Sequence, residues 1–221
     1  MRTDEEQVAA LKQLWKDYGS AVVSGVLVSL ALVYGWKAWN NYSVQQAQES
    51  SGLYQELLDL SLRQPGQPLT AEQQTSFDHL LQTLVKDHKD TVYTRLATLL
   101  KASQSVQNGD LKTAKEQLEW VLQQSPERDI ATITRMRLAR VELADNNAAR
   151  ALEILQQIDQ PGAFKASYES IRGDVLLALT RPDEAREAYQ LAVNLAAATK
   201  GSSPLVNLKL DDLAKPGEDN E

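Results

Sequence analysis

The side chains best suited to chemistry in this chain are two histidines, His79 and His88, each directly preceded by an aspartate. An imidazole beside a carboxylate is raw material for a zinc site or a general base. A zinc site, however, needs three or four ligands converging on one point. The two histidines are nine residues apart. On a helix that is about two and a half turns, so the rings leave on different faces. Both read as surface histidines. Carboxylates recur as Glu116/Glu119 and Asp183/Glu184/Glu187, at the spacing of solvated helix faces. Nothing around them predicts the desolvation that retunes a carboxyl group for acid–base work. A Gly-rich phosphate loop and a nucleophile elbow are both missing. The chain has no cysteine, which removes thiol catalysis, disulfides and cysteine-based zinc sites. The residues therefore read as non-enzymatic, with no cofactor and no metal.

Binding chemistry is left. Arg95, Arg135, Arg137, Arg140 and Arg172 fall on segments expected to be helical. They either recognise acidic groups on a partner or pair with neighbouring glutamates as ordinary surface ions. The formal net charge of −7 over 221 residues argues against nucleic acid, whose phosphates require a basic surface. It also argues against broad electrostatic adhesion to anionic lipid.

The elements that position these residues begin with an anchor. From Tyr18 to Trp36, 19 residues carry no charge. At about 1.5 Å per residue, such a helix nearly matches a hydrocarbon core about 30 Å thick. Trp15 and Tyr18 at one end, and Trp36 and Trp39 at the other, suit the two membrane interfaces. The large aromatics after the apolar run leave no small-residue cleavage site, so a removed signal peptide is disfavoured. Arg2, Lys12 and Lys16 precede the run, whereas only Lys37 follows it before Arg63. That bias predicts a cytoplasmic N-terminus and an exported C-terminal domain. Within the run, Ala21, Gly25 and Ser29 form a small-residue stripe at i, i+4 and i+8 that would let another membrane helix approach closely.

After the anchor, Ser43–Arg63 has Leu53, Leu57 and Leu60 on one helical face, and the run Gln64–Pro68 is a break. A further helix over about 71–86 places Phe77, Leu80, Leu81, Leu84 and Val85 at helical spacing. From Thr91 the pattern repeats. Three turns, Asn108-Gly109-Asp110, Asp145-Asn146-Asn147 and Thr180-Arg181-Pro182-Asp183, are each followed by an alanine: Ala114, Ala151 and Ala185. Twelve residues before each alanine lies a small residue: Ala102, Ala139 and Gly173. Four after each lies a large one: Leu118, Leu155 and Tyr189. Small residues at the crossing of a helical hairpin let the axes approach, and the larger ones fill the groove to the next hairpin. The alanines are 37 and 34 residues apart, a period that resembles the tetratricopeptide repeat. Two departures stand out: the early tryptophan of that repeat is missing, and Glu142 sits where a bulky residue is common. Asp90 and Asp129 are the expected N-caps. Leu205, Leu208 and Leu210 are expected to dock on the last hairpin, and Asp211–Glu221 reads as an acidic, solvated tail.

The expected fold is all-α: one N-terminal transmembrane helix, then a tetratricopeptide-like solenoid of helical hairpins. The parts are a cytoplasmic tail (1–17), a transmembrane helix (18–39), a membrane-proximal hairpin (40–90), the repeats (91–200), and a C-terminal segment with its acidic tail (201–221).

The stretch Glu6–Gly19, the anchor ending Gly35-Trp36-Lys37-Ala38-Trp39, the segment Met136–Val141 and the ending Leu208–Leu213 together resemble the bacterial YfgM-type proteins, ancillary subunits of the SecYEG translocon. The likeness runs to about Leu213; the acidic extension beyond departs from the family pattern. The resemblance implies a single-pass inner-membrane protein with a periplasmic repeat domain. It implies association with SecYEG, with a PpiD-type membrane-anchored chaperone, and with peptide or protein clients. It brings no catalytic residues. A scaffold for another envelope machine, such as cytochrome maturation or cell-wall assembly, would use the same repeats with other partners.

Overall fold

The computed structural model describes residues 4–62, 69–199, 201 and 203–213. The break at Gln64–Pro68 and the acidic residues beyond Leu213 lie outside the described residues, and Gly201 and Ser203 precede the last helix. Every regular element among the described residues is helical. The chain divides into two compact units, Met1–Ser51 and Gly52–Glu221.

Helix α1 (Asp4–Leu62) runs through the first unit and into the second. It is the one described helix long and apolar enough to cross a membrane. From Tyr18 to Trp39 its apolar side chains find no protein cover: Leu32 is 70% exposed and Trp36 is 74% exposed. In water that much bare apolar surface would be costly.

In the second unit, α2 (Ala71–Asp87) opens with a capping box. The Thr70 hydroxyl accepts from the Gln73 amide, and the Gln73 side chain accepts from the Thr70 amide. Phe77 and Leu84 of α2 pack with Leu57 of α1 and Ala97 of α3 (Val92–Gln107). Thr91 caps α3, accepting from the Thr94 amide, so the helix starts one residue later than an Asp90 cap would set it.

Three hairpins come next: α3 with α4 (Leu111–Gln123), α5 (Arg128–Ala144) with α6 (Ala148–Gln156), and α7 (Lys165–Ala178) with α8 (Pro182–Ala198). A 3₁₀ turn at Gly162–Phe164 leads into α7. Helix α4 packs on α5, α6 on α7, and α5 on α7, giving a stack. Glu127 occupies the N-cap of α5 without a side-chain cap bond, and Asp129 lies in the first turn instead, where its charge suits the helix dipole.

The repeat is visible in the backbone itself. Each first helix ends in the same way, with a left-handed residue at Gly109 (φ 77°), Asn146 (φ 62°) or Thr180 (φ 57°). The next amide then reaches back to the carbonyl of Ser105, Glu142 or Leu176. This is the Schellman closure, which satisfies the last carbonyls of a helix. Glycine adopts it freely and asparagine tolerates it, while β-branched Thr180 is strained there.

Helix α9 (Pro204–Asp211) closes the stack against α8. It docks through Val206, with Leu210 and Leu213 alongside. Of the three leucines expected to dock, only Leu210 does; Leu205 and Leu208 face solvent. The spacing 206, 210, 213 is one helical face, and 205 and 208 lie off it.

Candidate functional site

The structure sorts the five arginines. Arg95 donates to the Glu127 carboxylate at 2.8 Å and to the Asp90 carbonyl at 3.2 Å. Arg172 pairs with Glu169 at 3.1 Å. These two serve the fold. Arg137 and Arg140 differ: they are three residues apart on α5, which sets them on one face. Neither has a carboxylate within ion-pair distance among the described residues. Arg137 instead donates across to the Leu99 carbonyl of α3 at 3.3 Å.

Arg137 and Arg140 flank a pocket of about 290 Å³ between α3 and α5. Its remaining wall is Ala102, Ser103 and Val106 from α3, Val141 and Ala144 from α5, and Leu118 beneath. Partial desolvation of its guanidinium, reinforced by the positive charge of Arg140, holds Arg137 below the usual arginine value, with Tyr54 opposing. Burial raises the Tyr54 phenol, with Arg137 opposing. Its ring lies 5.9 Å from that of Tyr93.

Arg135 belongs to a second, more polar pocket of about 320 Å³ with Arg128, Thr132 and Gln157–Gln160. Its Nε is buried without a hydrogen-bond partner among the described residues. That pocket includes Asp159 and adjoins the C-terminal end of α6, whose free carbonyls disfavour anions.

The six small residues of the repeats, Ala102, Ala114, Ala139, Ala151, Gly173 and Ala185, are all buried. At Gly173 the approach is close enough that an added Cβ would meet the Tyr189 ring at 2.4 Å. Ala21, Gly25 and Ser29 are exposed along α1, and the Ser29 hydroxyl donates to the Gly25 carbonyl at 2.8 Å. His79 is exposed, but His88 is buried rather than on the surface, and its carbonyl accepts from Thr91 and Thr94. Among the described residues no three histidine or carboxylate side chains are grouped to hold a metal.

Ser103, Val106, Val141 and Ala144 escape a reading of the sequence, as does Tyr54. Val106 is an apolar residue left 41% exposed on a first helix, which only the folded packing reveals.

Comparison with known proteins places these elements in a wider set. A relative from Escherichia coli (strain K12), named "Ancillary SecYEG translocon subunit", is 28% identical over 96% of this chain and 97% of its own length. Relatives of the same name from Aggregatibacter actinomycetemcomitans and Haemophilus influenzae are 26% and 22% identical, each over 95% of this chain and 97% of their own. The likeness to the YfgM-type proteins thus holds along nearly the whole chain. The family described as "Tetratricopeptide repeat-like domain" matches residues 12–215, taking in the apolar helix and all three hairpins, and the chain belongs to that family.

Proposed function

We propose that this chain is a non-catalytic ancillary subunit of the SecYEG translocon, anchored in the bacterial inner membrane by α1. Its N-terminus is cytoplasmic, and its repeat domain is periplasmic, where it meets a PpiD-type membrane-anchored chaperone and exported protein clients. The observation that carries this reading is the extent of relatedness. Relatives named for the translocon align over 95–96% of the chain, so anchor and repeats are shared as one arrangement. The bare apolar face of α1 and the excess of Arg2, Lys12 and Lys16 over Lys37 support the topology. Stacked helical hairpins commonly hold extended or helical peptide.

In this reading residues 1–17 are the cytoplasmic tail, 18–39 cross the membrane, 40–90 form the membrane-proximal hairpin, 91–200 are the repeats, and 201–221 are the C-terminal segment and acidic tail. Ala21, Gly25 and Ser29 pack against a neighbouring membrane helix. Ala102, Ala114, Ala139, Ala151, Gly173 and Ala185 let the repeat helices approach.

Two experiments test it. Native membranes are solubilised mildly and the chain is recovered by a tag after Glu221. SecYEG and a PpiD-type chaperone should co-purify, and Gly25→Leu should lower their recovery several-fold. A Cβ at Gly25 meets nothing within 4 Å, so the change alters the surface of α1 and not its fold. Recovery of a different envelope complex would overturn the translocon assignment; unchanged recovery with Gly25→Leu would remove the stripe from the contact. For topology, Lys112→Cys supplies the only thiol, at a side chain 88% exposed. An impermeant maleimide should label it in cells whose outer membrane has been permeabilised. Labelling only after lysis would reverse the orientation.

A further inference from the structure

The chain carries 30 acidic side chains against 23 basic ones, so carboxylates are in excess. Most cations in the repeat stack have taken one: Lys101 with Asp78, Lys115 with Glu142 and Asp145, Arg150 with Glu153, Arg181 with Glu184, Lys209 with Asp174. Among the described residues Arg137 and Arg140 have not, although they sit together where their like charges repel. The surface between them and α3 is apolar, with Val106 open to solvent. Two adjacent unmatched guanidinium groups beside an apolar wall pose a paired demand for an anion and a methyl-rich group. A free inorganic anion meets only the first half of it. A stretch of polypeptide meets both.

We propose that the pocket between α3 and α5 binds an acidic side chain of a partner polypeptide, its carboxylate held by Arg137 and Arg140 and an adjacent aliphatic side chain seated against Val106. This rests on the reading of the repeats as a binding module and names the chemistry of what they bind. Guanidinium groups suit the task because their planar donors match a carboxylate in two parallel bonds.

The test uses the full chain in detergent and fluorescence anisotropy with three labelled peptides. One alternates Leu and Glu and is capped at both ends; the second replaces every Glu with Gln; the third is the Gln peptide with a free C-terminal carboxylate. The capped Glu peptide should bind about tenfold more tightly than either of the others, the equivalent of one charge-assisted pairing. Arg140→Gln should reduce its affinity about tenfold and leave the capped Gln peptide almost unchanged. Arg140 makes no bond to the rest of the described fold, so this variant keeps the test valid if the double variant with Arg137→Gln unfolds. Ser103→Tyr, at an exposed position on the rim, should fill the pocket and abolish binding with both arginines in place. Equal affinity for the Glu and Gln peptides, an unchanged affinity with Arg140→Gln, or a preference for the free C-terminus would each overturn the proposal. Co-purification with SecYEG separates the two readings. If SecYEG co-purifies with the parent chain while that chain shows no preference for the Glu peptide, the pocket assignment falls and the translocon reading stands. If the Glu peptide binds as expected and SecYEG does not co-purify, the reverse holds.

Discussion

Replacing Gly173 with leucine is expected to lower the thermal midpoint of the repeat domain by about 6–12 °C, the equivalent of about 3 kcal/mol. The cause is the crossing of α7 and α8. A Cβ at Gly173 would lie 2.4 Å from the Tyr189 ring, closer than real side chains allow. The ring has nowhere to go. Tyr189 is 1% exposed, and its hydroxyl donates to Asp174 at 2.6 Å. Lys209 of α9 donates to the same carboxylate oxygen at 2.5 Å and sits over the ring, 5.8 Å from its centre. Burial, with the Asp174 carboxylate adding to it, holds the Tyr189 phenol well above its ordinary value, so the hydroxyl stays protonated as donor. Gly173→Ala should cost less, because alanine's helix propensity, better by about 1 kcal/mol, offsets part of the clash. Thermal circular dichroism of the full chain in detergent measures both. Adding Tyr189→Ala to Gly173→Leu should recover part of the loss, since the obstacle is removed. A Gly173→Leu variant as stable as the parent would mean that the crossing is far looser than its geometry.

Lys115→Met should destabilise the domain by about 2 kcal/mol, whereas Glu142→Leu should change it by less than about 1 kcal/mol. The asymmetry comes from which group is left alone. Glu142 is 7% exposed and accepts from Lys115 at 2.9 Å and from Asn147 at 3.1 Å. Without Lys115, a buried carboxylate keeps only an amide donor. Without Glu142, Lys115 retains Asp145 at 2.6 Å, and leucine suits a site between packed helices. The hydrogen bonds to Asp145 and Glu142 raise Lys115 above its usual 10.5. A raised lysine adds stability that is complete below the unfolded value and fades as pH rises through the folded one. The cost of Lys115→Met should therefore be full at neutral pH and shrink in strong alkali. Urea unfolding at the two pH values measures it, and equal losses for the two variants would refute the buried-charge account.

Local pattern explains how much of the fold is legible in the sequence. The uncharged run Tyr18–Trp36, the three turns and the register of Ala114, Ala151 and Ala185 depend on neighbours within one or two helical turns, and such spacing is written in order along the chain. Glu142 shows the opposite case. As a sequence letter it breaks the repeat pattern; its reason lies 27 residues away in Lys115, across α4 and α5. Leu205 and Leu208 attract attention as leucines, but the face of α9 that docks is set by Val206, Leu210 and Leu213. The arginines are visible as a group, while the division into Arg95 and Arg172, which have carboxylate partners, and Arg137 and Arg140, which have none among the described residues, depends on which carboxylates the fold brings near. The pocket wall is illegible for the same reason: Val106 and Val141 line one pocket only once the chain has folded.

The polar bonds of the stack also bear on how the domain opens. Arg95 to Glu127, Lys115 to Glu142, Arg137 to Leu99 and Arg128 to Gln160 each tie one hairpin to the adjacent segment of the stack. In such a stack, stability is the sum of what each hairpin contributes and what each joint contributes. Weight placed at the joints couples neighbours: a hairpin that opens alone strips its neighbour of buried partners such as Glu142. Fraying from one end is thereby suppressed and cooperativity extends along the array. A polypeptide held on this domain would then leave by letting go of a standing surface, not by the melting of the hairpin beneath it.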